Sequence, residues 1–487
     1  MNTPSTSTSG SSARGSSDRS RGRDSRRHRP KIAWHVMTPD KAFWTFAAFV
    51  VLVFLMGGGS RYDIDSVGPL RAMSAIFLGI GVYCQTGQSF RLVARPVALI
   101  LLLGLWMAVQ LLPLPPSWWT SLHGRENIAQ AGELVGLAEV WRPITFSPMR
   151  TFNSLASLVV PLAAFMLLSL LDDNGWRRMR SLIIAIGVVS ALLGIAQITL
   201  RGSPGLYLYE ITNSDNAVGL FSNRNHNALF LNIALLFSIF RARGSKSRLA
   251  PADLFMAAGQ MVLLVGVLIT GSRFGFALLA VVASVFAAGA MLVTRGDSRT
   301  PRTRRRLSEK IAGISAGVAA IALIAFFAAM ERIPALGRLF EVGVAQDLRA
   351  RSFSDVLDLA IGHFPFGVGF GAFEQAYRTI ERDELLSPTY FNQAHNDWLQ
   401  IVVEGGLPAV IILALGVFLI LKRGWWTWRS RAAMAGKLGP ATLGFLTLLV
   451  IGMHSLVDYP LRVPSLMVVA AIALGLIFQH HTRMGQV

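Results

Sequence analysis

Stretches of apolar residues long enough to cross a bilayer, about 20 residues each, recur from one end of this chain to the other. They fall at 42–58, 72–86, 96–112, 152–171, 182–200, 227–240, 254–270, 274–294, 311–330, 398–421, 442–457 and 464–478. Lipid offers no partner to an unpaired amide, so each run is expected to be a helix with its backbone bonds closed internally. The fold class expected is an all-α polytopic integral membrane protein with about twelve transmembrane helices.

Charge settles the orientation expected. Only 15% of the 487 residues are charged, the mean hydropathy is +0.49 and the formal net charge is +19. A soluble chain carries nearer a quarter charged residues. When alternate connections are assigned to opposite sides, about two-thirds of the basic residues fall on the side of the N-terminus, as the positive-inside rule demands. Both termini are then cytoplasmic. Clusters such as Arg302, Arg304, Arg305 and Arg306 become topology determinants that touch membrane lipids, and no nucleic-acid partner is implied. Residues 1–41, rich in Ser, Arg and Gly, form a disordered basic cytoplasmic tail ahead of a membrane domain at 42–480. The single cysteine, Cys84, excludes an intrachain disulfide framework.

Four connections on the outer side are informative. Residues 121–141 hold an amphipathic stretch suited to lying flat at the membrane interface. Residues 201–226 are polar and rich in turn formers. The connection 331–397, between the ninth and tenth spans, is too long for a bare link and so reads as functional. It holds a short amphipathic helix at 353–361 and then Gly367, Gly369 and Gly371 in a tight turn. The fourth is the HSLVDYPLR stretch between the last two spans.

Candidate chemistry clusters at these outer boundaries. Arg273, in TGSRFGF, sits in a connection so short that it lies at the membrane surface, where an ionisable group is a functional candidate or a snorkelling side chain. Arg224 and His226, in SNRNHN, begin a helix, a place suited to a phosphate or to an interfacial cap. In QAHNDWLQIVVEGG, His395 tops a stripe formed by Asn396, Asp397, Gln400 and Glu404. Their spacing directs that stripe toward a cavity, since Glu404 in lipid would cost about 2.5 kcal/mol or more. His454, Asp458 and Arg462, in HSLVDYPLR, are either a charge-paired supporting set or a helix-ending turn. No metal motif, nucleotide loop or nucleophile elbow occurs, so no metal and no cofactor are expected. Arginines around one histidine suit an anionic diphosphate and a general base.

SNRNHNALFL, TGSRFGF, HFPFGVGFGAFEQAY, QAHNDWLQIVVEGG and HSLVDYPLR, in this order, resemble the O-antigen ligase and O-antigen polymerase superfamily of bacterial envelopes. The resemblance implies a GT-C-like fold in the bacterial inner membrane, with a large periplasmic loop between helices 9 and 10 and an active site facing the periplasm. It implies transfer of a glycan from undecaprenyl diphosphate to an acceptor hydroxyl. That acceptor is lipid A core, a protein or another lipid-linked glycan. By the same resemblance His395 and Arg273 are catalytic, and the diphosphate is held by Arg273 with Arg224 or its competitor Arg201. Asp397 and Glu404 are expected to position His395 or the sugar. A transporter or flippase of lipid-linked glycans is the alternative from another class.

Overall fold

The computed structural model describes residues 37–200, 203, 205–240, 251–295, 344–385, 391–431 and 439–479. The expected span 311–330, residues 331–343 of the outer connection, Arg201 and most of the tail lie outside the described residues. Every other expected span has a helix. In chain order these are α1 (Pro39–Met56), α2 (Val67–Tyr83), α3 (Gly87–Gln110), α4 (Pro116–Thr120), α5 (Glu126–Leu134), α6 (Pro148–Ser157), α7 (Val159–Leu168), α8 (Asp173–Thr199), α9 (Arg224–Ile239), α10 (Pro251–Ile269), α11 (Arg273–Arg295), α12 (Val344–Gly362), α13 (Phe373–Tyr377), α14 (Asp397–Arg431), α15 (Pro440–His454) and α16 (Pro464–Gln479). Two-residue strands, Pro113–Leu114 and Arg142–Pro143, pair antiparallel and close the base of a loop. By length and composition five segments can cross a membrane, namely α1, α3, Pro148–Leu168 across α6 and α7, α8 and the part of α14 at Asp397–Trp426; the apolar parts of α2, α10, α11, α15 and α16 are shorter. The chain is a multi-pass, mainly helical membrane protein.

The core forms where the apolar sides of α1, α7, α8, α9 and α16 meet. α9 is buried on every side from His226 to Ser238, so its polar residues must be satisfied inside the bundle. Asn227 accepts from Ser190 Oγ at 2.8 Å and donates to Ala217 O at 2.9 Å. Asn232 donates to Gly275 O of α11 at 3.0 Å. Small residues let the backbones approach that closely. A Cβ on Gly187 would come within 2.5 Å of Ala234, and one on Gly275 within 2.6 Å of Ala228.

Helix ends among the described residues gather on two faces. On one, Gly57 at the end of α1 accepts from Ser465 of α16, Ser222 donates to Gly58 O at 3.1 Å, and Asp397 N donates to Ser455 O at 2.9 Å. On the other, Arg178 reaches Asp40 at 2.6 Å and Arg423 donates to the last carbonyls of α16. The first is termed the site face below. Here the turn with Gly367, Gly369 and Gly371, all at positive φ, lies on the first part of α14: Val368 N donates to Val403 O and Gly369 N to Glu404 O. α14 itself is interrupted at Gly406 (φ 58°, ψ −156°), where Leu407 N donates to Pro365 O at 2.7 Å.

Candidate functional site

The site face gathers residues far apart in sequence around Asp458, which is fully buried in the connection 455–463. His395 stands just before α14, held in the left-handed region at φ 51°, a conformation uncommon for any residue but glycine. Its Nδ1 lies 3.3 Å from Asp458 Oδ1; with the carboxylate ionised, the imidazole N–H is the donor. The side chain is 15% exposed, against 0% for Asp458. His395 therefore reaches the surface while its anchor does not. Its ring packs 4.9 Å from that of Tyr459 and 5.8 Å from that of Phe391.

Asp458 is supported from α9 as well. Its Oδ2 accepts from Asn225 Nδ2 at 2.9 Å and Asn223 Nδ2 at 3.4 Å, and His226 Nε2 lies 3.8 Å from Oδ1. These groups surround the N-terminus of α9, where the helix dipole favours a negative charge. Asn223 also caps α9 by accepting from Asn225 N at 2.8 Å. Arg224 is the first residue of that helix; its Nη1 donates to Asn216 Oδ1 at 3.0 Å, which ties it to the polar 205–222 connection. Arg273 is the first residue of α11. Its neighbour Phe274 packs against the ring of His454, centroids 5.4 Å apart, and His454 lies 6.4 Å from the ring of His226. The N-termini of α9, α11 and α14 and the C-terminus of α15 thus converge at one place.

A second cluster occupies the other half of the same connection. Arg462 grips Glu404 with Nη2 and Nη1, at 2.9 and 3.4 Å, and its Nε lies 3.4 Å from Asp397 Oδ1. Asp397 Oδ2 accepts from Ser455 Oγ and from Leu461 N, both at 3.2 Å. Gln400 donates to Glu404 Oε1 at 2.9 Å and to Gln393. Asn396 caps α14 by accepting from Leu399 N at 3.0 Å. The stripe read from sequence therefore does face the protein interior. Asp397 and Glu404, however, bond to Arg462, and the carboxylate that engages His395 is Asp458. Sequence reading passed over Asn223, Asn225, Phe391 and Tyr459; the alternation of Asn with Arg and His in SNRNHN was the available signal for the first two.

The chemistry open to this arrangement is proton transfer at Nε2 of His395, backed by a buried negative charge; Arg224 and Arg273 are the first residues of α9 and α11. Among the described residues no group of three or more His, Cys, Asp and Glu is placed to hold a metal ion. No curated protein matches the chain. A family model described as O-antigen ligase matches residues 258–414, a stretch that includes Arg273, His395 and the Asn396–Glu404 stripe and stops before Asp458 and Arg462. That match supports the resemblance to the O-antigen ligase and polymerase superfamily over residues 258–414.

Proposed function

We propose that this chain transfers a glycan from undecaprenyl diphosphate to an acceptor hydroxyl at the face that carries His395, without a metal ion, in the bacterial inner membrane with that face toward the periplasm. The observation that carries this reading is the 3.3 Å contact of the buried Asp458 with Nδ1 of His395, which lies in the stretch matched by the O-antigen ligase family model. Asp458 fixes the ring and its tautomer and stabilises the imidazolium that forms. The other ring nitrogen, Nε2, takes the proton from the acceptor hydroxyl as its oxygen bonds to the anomeric carbon. The bond from the anomeric carbon to the diphosphate oxygen breaks, and its electron pair leaves on that oxygen. Arg273 and Arg224, with Arg201 as competitor for the second place, hold that diphosphate at the N-termini of α11 and α9, where backbone N–H groups and guanidinium forks favour phosphate oxygens. Arg462, Glu404, Asp397 and Gln400 keep the start of α14 in position, so that His395 stands over the site.

The acceptor is lipid A core, a protein or a second lipid-linked glycan. The test is transfer by the full chain in lipid vesicles, supplied with a polyprenyl-diphosphate-linked glycan and an acceptor. His395→Ala is expected to insert normally and to lose transfer by about 10²–10⁴-fold, and activity is expected to survive EDTA. Wild-type glycan output from His395→Ala would overturn the assignment.

A further inference from the structure

The connection between α3 and α6 folds on the site face into a small lobe at 113–147. The sequence reading expected an amphipathic stretch along 121–141, lying flat at the membrane interface. Instead α5 covers only Glu126–Leu134, Leu122 and Ile128 are half-buried, and the exposed apolar surface is assembled from separate pieces. Leu134 is 88% exposed, Val135 68%, Trp118 66% and Trp141 60%. One exposed leucine means nothing, but a set of this size on a single connection marks a surface that binds something.

The inner side of the lobe is fixed to the protein. Trp119 Nε1 donates to Pro143 O at 3.0 Å. The buried Arg125 donates to Ile144 O and lies 4.0 Å over the ring of Phe146. Phe146 N donates to Val368 O at 2.9 Å, which joins the lobe to the turn resting on Glu404. The segments that flank the lobe expose apolar side chains as well. The chain enters the lobe through the exposed Leu101 and Leu105 and leaves it through the exposed Phe152, on segments long and apolar enough to cross a membrane. The exposed acidic residues of the lobe are Glu126, Glu133 and Glu139, while Arg142 turns back to Leu137 O. Any attraction to lipid there is therefore apolar.

We propose that the lobe is an interfacial anchor, with its outer side seated in the headgroup–acyl boundary of the leaflet nearest His395. Trp118 and Trp141 occupy headgroup level, as aromatic belts do, and Leu134 and Val135 reach the acyl chains. Because the lobe is bonded to the turn at Val368, its depth in the leaflet sets the depth of the site, where a lipid-linked diphosphate would lie.

The experiment uses the full chain with Cys84→Ala and one introduced cysteine, Leu134→Cys or, as a second reporter, Val135→Cys, labelled with a nitroxide in phosphatidylcholine vesicles. Glu210→Cys, on an exposed loop of the same face, is the water-side control. Labels on the lobe are expected to collide with oxygen several-fold more than with a water-soluble nickel complex, the reverse of the control, and to keep that pattern in high salt. Free collision with nickel on the lobe would overturn the proposal by placing it in water. Shielding from both reagents would overturn it by placing a protein partner, or a second copy of the chain, on the lobe.

Discussion

The connection 455–463 supports two charge clusters that differ in what surrounds the charge. At Asp458 the partners are imidazoles and side-chain amides, and His395 reaches the surface. At Arg462 the partners are two buried carboxylates that close on a permanently charged guanidinium. The first arrangement can gain and lose a proton without losing its shape. The second can only hold or break. One short turn thus supplies a chemical group and a structural clamp, and the two are separable by experiment.

The sharpest separation comes from the first cluster. His395→Ala and Asp458→Asn are expected to lower transfer by about 10²–10⁴-fold, with the amount of folded protein in the membrane unchanged; loss of folding with Asp458→Asn would break the contrast. The second cluster should show the opposite pattern. Arg462→Met strands two buried carboxylates and is expected to cost about 3–5 kcal/mol, read as a lowered unfolding temperature in detergent. Adding Glu404→Gln and Asp397→Asn to it should restore much of that loss; failure to do so would mean that Arg462 does more than neutralise its partners. Smaller is Arg273→Lys, which keeps the charge but loses the fork. It is expected to reduce kcat/KM by about tenfold to hundredfold, the value of one charge-assisted hydrogen bond.

The smallest effect is expected at His363, beside the lobe and outside the membrane segments. Burial holds its imidazole below the usual 6.5, and Arg125 pushes the same way, while the hydrogen bond to Leu359 O opposes them. The folded state therefore binds its proton less readily than the unfolded chain. Its contribution to stability is full above pH 6.5 and fades as pH falls through the lower folded value. His363→Gln is expected to flatten the acid limb of the stability profile, measured by thermal unfolding at several pH values.

What could be read from sequence followed the range of the interactions. The spans were legible because an apolar run fixes a helix within itself. The stripe Asn396, Gln400 and Glu404 was legible because neighbours on a helix recur every turn. The glycine turn was legible as a turn, but the reason for its tightness was not: a Cβ on Gly369 would stand 2.1 Å from Thr145 Oγ1, a contact set by a segment far away in the chain. The pairing of His395 with Asp458 across 63 positions, and of Arg462 with Glu404 across 58, leaves no local trace. Two carboxylates on the stripe lay nearer to His395 in sequence and so attracted the role that a distant one takes.

The break at Gly406 carries one more consequence. An unbroken α14 would advance the angular position of Gln400 and Glu404, turn by turn, toward the bilayer centre, and the charged stripe would demand further polar company there. At Gly406 the backbone leaves helical geometry, and a Cβ would sit 2.1 Å from Pro365 O, so the screw is reset. The portion beyond remains long enough for the roughly 30 Å of hydrocarbon and presents its own faces, independent of the portion before. The helix thus has two independently oriented parts: the first is keyed to Arg462 through Glu404, the second to α16 through Arg423.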